Sequence, residues 1–189
     1  LLNLDYPEDK LEILIGSDGS TDATDDIVGK FSSPRVRLTR FVKNAGKPSV
    51  LNALVKQAQG EILLLTDARQ ELERGALRAL VQNFSDPAVG CVSGELIFKE
   101  GAEAAIGRGM AAYWDYEKFL RRTEAQIGSM LGATGAIYAV RKNLYPEIPA
   151  QMLVDDMYVP LSIVRQGFRA VFESQAVAYD LVSTQGSQE

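Results

Sequence analysis

"EILIGSDGSTDAT", residues 12–24, drives a short apolar run straight into a cluster of Asp, Gly, Ser and Thr. The run is rich in Ile and Leu and is followed by Gly16, which predicts a strand over residues 11–15. Asp18 then stands at the mouth of that strand. Thr21 or Asp22 is placed to cap a helix that reaches about residue 31, with Gly29 interrupting it. A carboxylate held at the end of a buried strand is the feature around which the remaining sequence can be read.

Outward from this stretch, residues 36–41 alternate apolar and basic side chains, as a half-exposed strand does. A polar loop over residues 43–47 contains Gly46, and Pro48 suits the first turn of a helix. Val50, Leu51, Leu54, Val55 and Ala58 keep helical spacing, and Gly60 ends that helix. "EILLLT", residues 61–66, reads as a fully buried strand of the kind found in parallel sheets. Ala76, Leu77, Leu80, Val81 and Phe84 mark a third helix. Residues 89–98 form one or two strands, and residues 104–127 are mostly helical. A glycine-bearing loop at 128–135 precedes a strand at 136–140. A helix over 159–165 and short strands at 169–173 and 176–179 complete the pattern. The tail "STQGSQE" is polar and frayed. Strands alternate with helices in the first half, which argues for an α/β fold with a parallel sheet. No repeat or linker divides the chain, so residues 1–189 read as a single domain.

Composition narrows the chemistry. The 189 residues carry a net charge of −5, so no global basic field attracts nucleic acid or acidic lipid. An anionic nucleotide can still bind through local features such as a helix N-terminus, a Lys or Arg, or a bridging metal. The single cysteine, Cys91, excludes an internal disulfide and any Cys-cluster metal site, and fits a reducing compartment. It reads as a small core residue. There is no histidine. That removes His-dependent nucleophile triads and His-ligated zinc, and leaves acid–base work to Asp, Glu, Lys or Tyr. No apolar stretch is long enough to span a membrane, and no signal peptide opens the chain. The chain begins at Leu1 and reads as a piece of something longer.

Four constellations carry possible chemistry. Ligands of open α/β sheets bind beyond the carboxyl ends of strands. Asp18 and Asp67 each follow an apolar run closely, where a carboxylate can accept from ribose hydroxyls or a base N–H, or hold a divalent cation. Asp22 reads equally as a helix cap. Second, Asp155 and Asp156 stand side by side just before a helix with Pro160 in an early turn. Two adjacent carboxylates repel and raise the pKa of one, while the helix N-terminus opposes that effect. Such a pair can supply a general base; its plainer role is an N-cap. Third, Gly132 and Gly135 in "LGATGAI" permit close approach of backbone to a ligand, or simply a tight turn. Fourth, Lys47 in "NAGKPSVLNA" opens a helix, where the dipole disfavours a cation. It makes sense there beside an anion such as phosphate, or as a solvated surface lysine.

Taken in order, "LDYPEDKLEILIGSDGSTDAT", "NAGKPSVLNAL", "GEILLLTDAR", "GATGAIYAVRK" and "VDDMYVPLSIVRQGFR" resemble family-2 inverting glycosyltransferases with the GT-A fold. The likeness is closest to the processive, membrane-associated polysaccharide synthases and covers nearly the whole chain. It implies a mixed, mostly parallel sheet flanked by helices, with a Rossmann-like nucleotide-binding half and an acceptor-side half. It implies that Asp18 binds the nucleotide base and that Asp22 supports its loop. Lys47 and Asn52 lie near the nucleotide. Asp67 is the first acid of an Asp-x-Asp motif, near the ribose and the diphosphate-bound metal, Mg²⁺ or Mn²⁺. Gly132, Ala133, Thr134 and Gly135 line the acceptor side. Asp156 is the catalytic base, with Asp155 beside it.

The implied partners are a nucleotide-sugar donor, with a lean to UDP-sugars, and a glycan or lipid-linked acceptor. The implied setting is the cytoplasmic face of the cell membrane, with contact to it only through segments outside this chain. The sequence departs from the family pattern at Arg69, which replaces the second acid of Asp-x-Asp and is placed to meet the diphosphate directly. It also begins after the family's first buried strand and stops near its later basic or aromatic motif. The fragment alone is therefore expected to be short of a complete pocket. A nucleotidyltransferase and a non-catalytic nucleotide- or glycan-binding module are the rival readings. The acid pair favours sugar transfer over the first, and Arg69 keeps the second open.

Overall fold

A computed structural model of the chain describes residues 1–31, 33–98 and 128–180. The helix expected over 104–127 and the expected frayed tail lie outside the described residues. The first strand, β1 (Ile13–Asp18), does not stop at Gly16 but runs through it to Asp18. It pairs in parallel with β2 (Val36–Phe41) along its whole length, from Ile13 beside Val36 to Asp18 beside Phe41. Gly16 is a close-approach residue rather than a strand end: a Cβ there would lie 2.2 Å from Val50 Cγ1 of the helix that crosses it. Between the two strands α1 (Thr24–Gly29) is shorter than the predicted helix and ends at Gly29.

The crossing helix is α2 (Lys47–Gln57), with Gly46 before it and Pro48 in its first turn as expected. Beyond it lie β3 (Ile62–Leu65), β4 (Glu71–Leu72), α3 (Ala76–Gln82) and β5 (Val89–Phe98). β6 (Tyr138–Arg141), α4 (Asp155–Arg165) and β7 (Arg169–Asp180) follow. A five-stranded sheet runs in the order β3-β6-β5-β7-β4. Its β5–β7 pairing is parallel, whereas β3–β6, β6–β5 and β7–β4 are antiparallel. The sheet system is mixed, and its two longest ladders, β1–β2 and β5–β7, are parallel. "EILLLT" corrects one expectation. It pairs antiparallel with β6, and three of its four strand residues are only half buried. As an edge of the five-stranded sheet, β3 has a single ladder partner there.

The two short strands expected near the C-terminal end are one strand, β7, kept continuous by a register shift opposite β5. Gly94 allows that shift, since a Cβ there would meet Ala176 O at 2.3 Å.

Side-chain alternation divides the sheet into two faces. Leu65, Cys91, Tyr138, Val140 and Ala170 pack against Val159 and Ile163 of α4. Val92, Ile137, Ala139, Ala176 and Ala178 pack against Ala76, Ala79 and Leu80 of α3. Each fully buried Leu, Ile or Val contributes roughly 1.5–3 kcal/mol by leaving water, so these two layers dominate the stability of the sheet. Cys91 is fully buried in the first layer, and burial pushes its thiol pKa up, which makes it an inert core residue.

β1 and β3 are not paired with each other. What joins their sheets is α2 and a set of polar clamps. Val50 packs on Gly16, and Leu51 packs on the α4-side core. Glu12 accepts hydrogen bonds from the backbone N–H groups of Gln59 and Gly60 and pairs with Arg37.

Candidate functional site

The carboxyl end of β1 and the N-terminus of α2 are tied by Asp18. Its Oδ1 accepts from Ala45 N at 2.6 Å and its Oδ2 from Gly46 N at 2.9 Å. Gly19 makes the turn possible, with φ of 71° and Asn44 N only 2.9 Å from where a Cβ would sit. The strand-end acid therefore shapes the loop that delivers Lys47.

Lys47 explains its unfavourable place at a helix N-terminus by its neighbours. Its Nζ lies 3.2 Å from Asp67 Oδ1 and 3.4 Å from Asp155 Oδ1. Desolvation works to lower the Lys47 pKa, but the charges of Asp155 and Asp67 overcome it and the net direction is up. Asp67 follows β3 and is steadied by its surroundings: Thr66 Oγ1 donates to Ala136 O at 2.7 Å, and Gln70 N donates to Asp67 O at 3.1 Å.

Asp155 and Asp156 do not precede α4 but form its first turn, where carboxylates meet the positive end of the helix dipole. Asp155 is 6% exposed, with Oδ1 toward Lys47 and a buried Oδ2 that has no hydrogen-bond partner among the described residues. Asp156 is more open. Its pKa is raised, first by desolvation and then by the Asp155 charge; Lys47, its own backbone N–H and that of Gly135 oppose the rise. This is the direction expected of an acid pair that keeps one member basic.

Pro160 has a specific effect on this turn. It lacks the N–H that would bond to the carbonyl four residues earlier, that of Asp156. The freed Asp156 O accepts instead from Ala133 N at 2.8 Å. The glycine loop is thereby fastened to the acid pair. Gly135 approaches so closely that a Cβ would lie 3.1 Å from Asp156 Oδ2, and a Cβ on Gly132 would lie 3.4 Å from Met157 Cγ. Thr134 N donates to Ser93 Oγ at 3.0 Å, which anchors the loop to β5. Gly132, Ala133, Thr134 and Gly135 thus form one wall beside the two acids.

Three expected site residues are not brought into this cluster. Asn52 is committed elsewhere: its Nδ2 donates to Ile148 O at 2.8 Å and its Oδ1 accepts from Ile148 N at 3.0 Å. Both faces of the amide clamp α2 to Ile148. Arg69 turns to Asp180 at the end of β7, with Nε 3.1 Å from Oδ2. Asp22 is exposed and accepts from Thr24 N at 3.0 Å in a short-range turn, one residue before Ala23, which takes the N-cap position of α1. The Thr24 hydrogen bond lowers its pKa.

Among the described residues no three acidic or Cys side chains converge to hold a metal ion. Asp67 offers a carboxylate at the end of β3, with Lys47 between it and Asp155. This fits Mg²⁺ or Mn²⁺ only in the mode where substrate phosphates and water complete the coordination shell.

Comparison with known proteins defines the class first. The fold is shared with a mannosyltransferase of Pyrobaculum calidifontis, solved in complex with GDP-Man and Mn²⁺, at TM-score 0.84 and 26% identity. That match covers 98% of this chain and 52% of the other. Staphylococcus aureus TarS bound to UDP superposes at TM-score 0.69 and 19% identity, over 96% of this chain and 54% of that one. The architecture is therefore a GT-A fold. The particular family follows from the sequence. Glycosyl transferase family 2 matches residues 1–148, and the chain belongs to that family. Curated relatives include the probable glycosyltransferase YdaM of Bacillus subtilis, 25% identical over 95% of this chain and 45% of that protein. Another is the poly-beta-1,6-N-acetyl-D-glucosamine synthase of S. aureus, 24% identical over 92% of this chain and 43% of that protein. The chain spans about half the length of these relatives.

Proposed function

We propose that this chain is part of an inverting glycosyltransferase that moves a sugar from a nucleotide-sugar, in the first place a UDP-sugar, to a hydroxyl of a glycan or lipid-linked acceptor. The observation that carries the reading is the joint placement of Lys47, Asp67, Asp155 and Asp156 at one end of the fold, with the Asp156 pKa raised from its ordinary value by burial and by Asp155. A base in that state is matched to removing a proton from an alcohol in the transition state, a contribution of about 10²–10⁴-fold. Asp156 takes the acceptor proton. The freed oxygen attacks the anomeric carbon from the face opposite the nucleotide, so configuration inverts. The nucleoside diphosphate leaves as a multiply charged anion.

Lys47 and the N-terminus of α2 favour that anion. A divalent cation, when bound, would offset its charge, and Asp67 is the carboxylate this chain offers it. Asp18 holds the loop that leads to Lys47, so its contribution to nucleotide binding runs at least partly through backbone geometry. A nucleotide-sugar donor and an unpaired thiol both fit the cytosolic side of a membrane. Among the described residues no helix is long and apolar enough to cross one.

Calorimetric titration with UDP and with GDP, each with and without Mn²⁺, tests the donor side. UDP binding that Mn²⁺ strengthens and Asp67→Ala removes is the expected result. Tighter binding of GDP would overturn the choice of base. Sugar transfer by wild type and Asp156→Asn tests the chemistry. The variant should lose about 10²-fold or more in kcat with donor affinity retained; equal rates would remove Asp156 from the role of base.

A further inference from the structure

Three buried oxygen atoms at or beside the acid pair have no hydrogen-bond partner among the described residues: Asp155 Oδ2, Tyr138 Oη and Tyr145 Oη. Tyr138 is fully buried on β6, in the layer that α4 covers, and Tyr145 packs against the same layer. Both tyrosines feel the Asp155 charge, and Tyr138 also feels Tyr145, Cys91 and Asp156. Two hydroxyl donors on the layer that α4 covers and one carboxylate acceptor in the first turn of α4 are thus buried on the same side of the sheet. Leaving all three unpaired would cost far more than pairing them, since each buried polar group without a partner forfeits its bonds to water. The chemistry is complementary, because a phenol donates and a carboxylate only accepts.

We propose that Tyr138 and Tyr145 are positioning residues whose hydroxyls hydrogen-bond to Asp155 Oδ2 through buried water and fix that carboxylate as the counter-ion of Lys47. With Oδ1 on the ammonium and Oδ2 linked through water to the phenols, Asp155 is held from both sides. The exchangeable proton of the pair is left to Asp156, which faces the glycine loop. The charged and titratable groups around Asp155 are then Lys47, with Asp67 beyond it, Asp156 and the two phenols. The relevance to catalysis rests on Asp156 being the base. The hydrogen bonds themselves do not, and they can be read without turnover.

The test uses Tyr138→Phe, Tyr145→Phe and the double variant of the 189-residue chain. Removing a hydroxyl that has no partner is neutral or stabilising, whereas removing a donor to a carboxylate is destabilising. A fall in Tm of roughly 3–10 °C for the double variant is expected. The loss should shrink when the same changes are made in Asp155→Ala, where no acceptor remains. Carbon-13 NMR of the aspartate carboxyls provides the readout that packing alone would not move. The Asp156 titration midpoint should shift down toward 3.8, its unperturbed value, in the double variant. An unchanged or raised Tm would overturn the proposal. So would a Tm loss of the same size in the Asp155→Ala background, or an Asp156 midpoint that stays in place.

Discussion

Lys47→Met removes the one ammonium set between Asp67 and Asp155 while keeping most of the side-chain stem. The two contacts, at 3.2 and 3.4 Å, are each worth about 1.2 kcal/mol if screened as in water and about 5 kcal/mol at the effective dielectric of a protein surface. The lysine side chain is 50% exposed and Asp155 is 8% exposed, so the pair lies between those regimes. Ordering a long side chain and desolvating Asp155 offset part of the attraction. The larger part of the loss comes from Asp155, which would stay buried with neither carboxylate oxygen paired to a cation. We expect a destabilisation of about 2–3 kcal/mol at pH 7, read as a lower urea midpoint at unchanged m-value. A Lys47→Met, Asp155→Asn double variant should recover most of it.

The sign of the pH dependence is fixed. The Lys47 pKa is raised on folding, so its contribution is complete below the unfolded value near 10.5 and fades as pH climbs through the folded value. The difference between wild type and variant should therefore be flat between about pH 6 and 9 and shrink in stronger base. A cost below about 0.5 kcal/mol would mean that water screens this pair like any surface ion pair, and the reasoning would fail.

Two further substitutions probe the frame around the acids. Asp18→Ala leaves the Ala45 and Gly46 amides without their shared acceptor; a loss of about 2–3 kcal/mol in urea unfolding is expected, with weaker UDP binding by calorimetry. Pro160→Ala restores the N–H that competes with Ala133 for the Asp156 carbonyl. Tm should hold or rise because a helix prefers Ala, while sugar transfer falls as the glycine loop loosens. Movement of both quantities in the same direction would separate Pro160 from the loop.

The parts of the site legible in the sequence are those whose signal is local. Asp18 and Asp67 could be found because each closes an apolar run, and Asp155 and Asp156 because two acids at a helix start are electrostatically conspicuous. Lys47 could be found because it sits where the dipole disfavours it. The clamp between Asn52 and Ile148 is not legible, because the partner is 96 residues away and nothing in "SVLNAL" points there. Arg69 and Asp180 are joined only when β4 pairs with β7. Tyr138 and Tyr145 carry no local signal at all, since an aromatic in an apolar strand reads as core. The antiparallel pairing of "EILLLT" is not legible, because an apolar run shows how hydrophobic a strand is and nothing of its neighbours' direction.

The separation of β1 and β2 from the five-stranded sheet has a consequence for cooperativity. With no ladder between the two leaves among the described residues, their coupling runs through α2 and a few polar clamps. Amide exchange should then show two tiers. The β1–β2 amides would open through a subglobal event of lower free energy than the one that exposes β5 and β7. Asp18 belongs to the less protected tier, and Asp67 and Asp155 to the more protected one. A nucleotide that engages both must hold the tiers together, so part of its intrinsic affinity would reappear as slower exchange in β1 and β2.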